Sequence, residues 1–204
     1  MTLARCVLIL FLAAVLLAAG CDNGKPQFRH TDVSGADYAK GFALTDHNGK
    51  KITLADYKGK VVTVFFGFTQ CPDVCPTALA EMREVVAKLG PDGAKLQVLF
   101  ITVDPERDTQ ALLAQYVPAF HRAFIGLYGD AQTTAAVARD FKVFYQKVPG
   151  KAPGSYTVDH SAGTYVFDPQ GRLRLFVRPA PAGEAASVSA DRLVSDIRLL
   201  LAGN

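Results

Sequence analysis

Two cysteines with three residues between them, Cys71 and Cys75 in FGFTQCPDVCPTAL (67–80), are the first residues in this chain whose type and spacing point to chemistry. A thiolate is both a nucleophile and a soft metal ligand. Residues four apart lie on one face of a helical turn, so the two sulfurs can converge on one point. There they can close a disulfide or hold one metal ion. Pro72 and Pro76 each follow a cysteine and stiffen the segment. An apolar strand reading precedes the pair and a helix reading follows it. The thiols are therefore expected at a helix N-terminus, where an anion is favoured and a thiol pKa drops. Two thiolates alone do not complete a site for most metals. His160, in TVDHSAGTYVFD (157–168), is the best third ligand, standing just before another apolar strand. Two thiolates and an imidazole suit copper in either oxidation state, Cu(I) or Cu(II). Zinc with a fourth ligand is the alternative.

The elements that must position these residues follow from periodicity and punctuation. Phe42 to Tyr57 reads as a hairpin turning at Asn48-Gly49. VVTVFFGF (61–68) is a continuous β-branched and aromatic run, the pattern of a strand buried on both faces, and LQVLFITV (96–103) reads as a second buried strand. Between them a helix opens at Pro76 and closes at Gly90. Asp108 or Thr109 is expected to cap a helix running to Tyr116. A strand over 124–129 and a helix over 133–141 follow, then a Pro/Gly-rich loop over 147–157. Strands over 163–168 and 172–178 are joined by a Pro-Gln-Gly turn, and a helix over 191–202 closes the chain. This order implies an α/β fold, a central mixed sheet flanked by helices, with an N-terminal hairpin added. It resembles a thioredoxin fold.

The chain has 204 residues, half of them hydrophobic, and a net charge of +3. That supports one domain with a sizeable core. The basic residues are scattered, without aromatic interleaving, so no nucleic-acid partner is expected. The N-terminus is separate. Arg5 precedes an uncharged run over 6–19, read as a signal peptide (1–20). Ala18-Ala19-Gly20 before Cys21 resembles a bacterial lipobox, which implies lipidation of Cys21. Asp22 after it resembles the signal for retention at the inner membrane. Residues 21–40 read as a tether and 41–204 as the domain. Of four cysteines, only Cys71 and Cys75 are then left, in a compartment where a disulfide can persist.

FFGFTQCPDVCPT (65–77), ITVDPERDT (101–109) and DHSAGTYVFDPQG (159–171) together resemble the Sco/SenC family. Its members are membrane-tethered, thioredoxin-like copper chaperones for the CuA centre of cytochrome c oxidase. The resemblance implies copper ligation by Cys71, Cys75 and His160, a Cys71–Cys75 pair cycling between dithiol and disulfide, and a lipid-anchored domain on the periplasmic face of the inner membrane. The implied partners are the copper-bearing oxidase subunit and other periplasmic copper chaperones or thiol reductants. The competing reading is a thiol–disulfide oxidoreductase that keeps partner cysteines reduced, with the same pair as its redox centre. Asp73 and Asp159, beside the proposed ligands, read as solvated loop carboxylates, and Asp104 as a turn residue. His30, His47 and His121 carry no motif support.

Overall fold

A computed structural model describes residues 27–180 and 186–203. The signal peptide and Cys21 lie outside the described residues. The ten described strands are β1 (Thr31–Asp32), β2 (Ala43–Asp46), β3 (Lys51–Thr53), β4 (Val61–Gly67), β5 (Leu96–Thr102), β6 (Ile125–Tyr128), β7 (Tyr145–Pro149), β8 (Tyr156–His160), β9 (Thr164–Phe167) and β10 (Leu173–Val177). The α-helices are α1 (Val74–Leu89), α2 (Gln110–Tyr116), α3 (Ala131–Asp140) and α4 (Ala186–Leu201).

Eight strands form one mixed sheet in the order β1-β10-β9-β4-β5-β6-β2-β3. β4, β5 and β6 are parallel neighbours, and the remaining pairings are antiparallel. Every residue of β4, β5 and β9 is buried, as their predominantly apolar runs require. The two faces separate along β4. Phe65 and its neighbour Phe100 on β5 turn to one face, where Phe100 meets Tyr116 of α2. Phe66 turns to the other, against Phe141 after α3 and Tyr165 of β9. α1 packs on α4. This is the expected thioredoxin-like fold, with the β2–β3 hairpin as its addition. Its turn closes through Gly49 at φ +87°, which glycine adopts without strain.

Three expectations change and one open alternative is resolved. The stretch 147–157 is not only a loop: β7 and β8 pair antiparallel from Tyr145↔His160 to Pro149↔Tyr156 as a second sheet. The prolines and glycines occupy its tip, and cross-strand pairing organises the flanks. α1 begins at Val74, so Cys75 lies in its first turn and Cys71 in the loop before it. Thr109, not Asp108, caps α2, accepting from the Leu112 N–H. α4 starts at Ala186, five residues earlier than the apolar periodicity alone indicated.

The segment before residue 41 is also tied to the domain. Thr31 and Asp32 pair with β10. The N–H groups of Arg29 and His30 both donate to Asp196 of α4, and His30 Nδ1 lies 2.8 Å from the same carboxylate. Any tether therefore ends before Phe28.

Candidate metal centre

β4 delivers the chain to the site. At its C-terminal end Gly67 lies under Cys75: a β-carbon at position 67 would stand 2.7 Å from the Cys75 sulfur and 2.8 Å from the Phe100 ring. Only a residue without a side chain lets the strand, the ring and the sulfur share that space. The chain then turns through Phe68 to Cys71, whose N–H donates to the Phe68 carbonyl. Asp108 fixes this turn from beneath. Its carboxylate accepts from the Thr69 N–H at 3.0 Å, the Thr69 hydroxyl at 2.6 Å and the Thr102 hydroxyl at 2.6 Å.

His160 arrives from the opposite side at the end of β8. Its ring stands edge-on to Phe65 and Phe68. Nδ1 faces the Ser161 carbonyl at 3.0 Å. A carbonyl only accepts, so Nδ1 carries the proton and Nε2 presents its lone pair. Nε2 lies 3.5 Å from Cys75 Sγ. The two sulfurs and one ring nitrogen all fall within 4.8 Å of one another, the one such cluster of potential ligands among the described residues. Donors bound to one metal at about 2.0–2.3 Å sit roughly 3.5–4 Å apart, so small side-chain rotations close the set. The residues present thus fit a soft metal ion.

The electrostatics differ from the sequence expectation. Cys75 is fully buried, and burial pushes its thiol far above the ordinary thiol range, with the Cys71 thiol adding to the effect. The helix N-terminus does not offset that desolvation. Burial also lowers the His160 pKa, opposed by the Ser161 carbonyl and Asp159. Both thiols are free in this structure. A neutral imidazole beside the protonated Cys75 thiol is a site that a cation converts to its charged form, expelling a proton as it binds. Access is through Cys71, 9% exposed, which lines an open groove of about 350 Å³ with Pro72, Asp73, Val74, Asp159 and His160. Asp73 and Asp159 are exposed on its rim.

The other histidines lie apart from this cluster. His30 belongs to Asp196, His47 Nδ1 accepts from the Gly126 N–H at 3.0 Å, and His121 Nδ1 accepts from the Ala123 N–H. Four contributors were not legible as such. Asp108 is the clamp just described. Arg107 spans three loops: it pairs with buried Asp104, donates to Gln70 Oε1 and the Tyr156 carbonyl, and stacks 3.7 Å over the Tyr156 ring. Asp104, expected as a turn residue, also accepts from the Tyr156 hydroxyl at 2.8 Å. The buried Tyr116 hydroxyl has no hydrogen-bond partner among the described residues. Burial raises its pKa, and the nearby Cys75 and Cys71 reinforce the shift. The charged run DPERDT was the available signal for the first two; nothing in the sequence marked Tyr116.

Known proteins place this arrangement. The chain is 38% identical over 192 residues to the Bos taurus "Protein SCO2 homolog, mitochondrial", covering 93% of this chain and 72% of that protein. It is 40% identical to the Mus musculus SCO2 homolog over 159 residues, 77% of this chain and 60% of that one. The solved structure of Bradyrhizobium japonicum ScoI with copper bound is 42% identical, with a TM-score of 0.66 over 78% of this chain and 97% of that chain. Apo Sco1 from Thermus thermophilus is 39% identical, with a TM-score of 0.73 over 87% and 99%. The SCO1/SenC family model matches residues 30–195, and the chain belongs to that family.

Proposed function

We propose that this chain is a copper chaperone for cytochrome c oxidase assembly, holding copper as cargo on Cys71, Cys75 and His160. The observation that carries the proposal is the convergence of two sulfurs and an imidazole nitrogen within 4.8 Å at the end of the central strand. Copper bound in the Bradyrhizobium, Arabidopsis and yeast Sco structures supports it. The thiolates satisfy a soft ion, and the imidazole adds the nitrogen that Cu(II) prefers. Cys71 and His160 line the groove while Cys75 lies beneath them. A thiolate from the copper-bearing oxidase subunit therefore meets the metal beside Cys71 and displaces the ligands in turn.

Delivery places the domain at the membrane. The proposed setting is the periplasmic face of a bacterial inner membrane, with residues 1–20 removed and Cys21 lipidated. Among the described residues no helix is long and apolar enough to cross a membrane. The pair is proposed to cycle between dithiol and disulfide. Two neighbouring free thiols also support the second reading, a thiol–disulfide oxidoreductase. In that reaction the Cys71 sulfur attacks a partner disulfide and Cys75 resolves the mixed disulfide. The partner leaves as a dithiol and Cys71–Cys75 as the disulfide.

An anaerobic copper titration of the reduced chain from residue 22 onward separates the readings. The chaperone requires stoichiometric binding, abolished in Cys71→Ser and Cys75→Ser. His160→Ala should weaken Cu(II) far more than Cu(I) and remove the thiolate-to-Cu(II) absorption. Binding indifferent to His160, with partner reduction intact in His160→Ala, would select the oxidoreductase.

A further inference from the structure

We infer that a basic pocket at the β1–β10 edge of the sheet is a contact surface for anionic phospholipid headgroups, resting on the membrane-tethered reading above. The pocket, about 490 Å³ and open, is lined by Arg29, His30, Phe176, Arg178, Pro179 and Arg192. Its three arginines come from three separate parts of the chain: the segment entering β1, the residue leaving β10 and the second turn of α4. Arg29 and Arg178 are exposed. Asp196, the carboxylate beneath, is fully buried and turned inward, taken up by the Arg29 and His30 N–H groups and the His30 ring. It therefore presents no surface charge beside the exposed Arg29 and Arg178.

Position favours a lipid surface over other anions. The described chain enters at this pocket. From Cys21, the proposed lipid-bearing residue, to Arg29 is eight residues, a reach of at most about 29 Å. A membrane holding that lipid lies within this distance of Arg29. Phe176 and Pro179 set apolar surface among the guanidinium groups, the mixture that suits the headgroup boundary. The register fixes which end of the molecule is involved. β10 runs parallel to β4, because each is antiparallel to β9, and Thr164 pairs with both Phe65 and Val177. Arg178 therefore leaves the sheet at the same end as Gly67 and the Cys71 loop. Headgroups held at this pocket would keep the metal-binding end of the sheet beside the bilayer instead of pointing away from it.

The test uses the chain from residue 22 onward, which lacks the lipid-bearing cysteine. The solved Thermus protein, 99% of which aligns with 87% of this chain, shows that a domain of this extent folds on its own. Binding is measured by co-sedimentation with vesicles of phosphatidylcholine alone or mixed with phosphatidylglycerol. Binding should require phosphatidylglycerol and weaken steeply as salt shortens the screening length. Each basic side chain near an anionic leaflet is worth about fivefold in partitioning. The triple variant Arg29→Gln/Arg178→Gln/Arg192→Gln should therefore lose on the order of 100-fold. Copper stoichiometry serves as the folding control. If the triple variant fails it, Arg178→Gln alone, at an exposed strand end, should still lose severalfold. Equal binding to both vesicle types, no vesicle binding, or binding undiminished by these substitutions overturns the inference. So does a variant that keeps vesicle binding but loses association with an acidic protein partner. The mass of the mature N-terminus tests the anchor separately, so a failure of either reading is distinguishable.

Discussion

Gly67 and Cys75 share one small volume: the strand residue has no side chain because the sulfur of the helix residue fills the place where one would be. Gly67→Ala forces the sulfur, Phe100 or Phe65 to move. Overpacking of this kind costs about 1–3 kcal/mol. The expected outcome is a folded protein of lower denaturation midpoint whose copper affinity falls at least tenfold. Paired denaturation and copper competition measurements check both. Unchanged copper affinity would mean that the sulfur's position does not depend on the strand.

Arg107 holds His160 at one remove, by fastening Tyr156 at the start of β8 to the Asp104 loop. Arg107→Ala removes a stacked cation and several hydrogen bonds, a loss of about 1–3 kcal/mol. Because Asp108 still holds the cysteine loop through Thr69, Cu(II) affinity should fall roughly tenfold while Cu(I) affinity changes little. Equal losses for both ions would show that Arg107 also supports the cysteine loop.

Asp108 makes a pH prediction. Burial raises its carboxyl above the ordinary value of 3.8, against the opposing hydrogen bonds from Thr102 and Thr69. The folded state therefore binds this proton more tightly than the unfolded state. The stability it contributes is complete below 3.8 and is lost as pH rises through the folded value. Asp108→Asn keeps an acceptor and carries no charge at any pH. Urea unfolding from pH 4 to pH 7 should show the stability difference moving in the variant's favour as pH rises. Movement in wild type's favour would mean the three donors outweigh burial.

Asp196→Ala should release the segment before β1. Its carboxylate satisfies two backbone N–H groups, and deleting a buried acceptor costs about 1–3 kcal/mol. Hydrogen exchange at the Arg29 and His30 amides should accelerate well beyond that of β4 and β5 amides. Uniform acceleration would instead indicate global destabilisation.

The three potential ligands were legible because thiols and imidazole are scarce and chemically distinctive, and because β4, β5 and β9 announce themselves as predominantly apolar runs. What was missed depends on contacts far apart in sequence. Asp108 reads as a helix cap until Thr69 and Thr102 are brought to it. The thiol pKa was misjudged because helix position is visible in sequence but burial is not, and burial dominates at Cys75. β7 and β8 were hidden by Pro149, Gly150, Pro153 and Gly154, which belong to the tip of a hairpin whose pairing extends back to Tyr145 and His160.

That hairpin makes the metal site mechanically unequal. Cys75 is seated in α1 and fully buried against the central sheet. His160 rides on a separate two-stranded ribbon, a unit that has little stability of its own and is secured from outside by Arg107, Asp104 and the Lys147–Glu106 pair. Cargo release can then begin as the bending of one arm, with the nitrogen withdrawn first and the sulfurs still in place. No strand of the main sheet has to part for the ion to change hands.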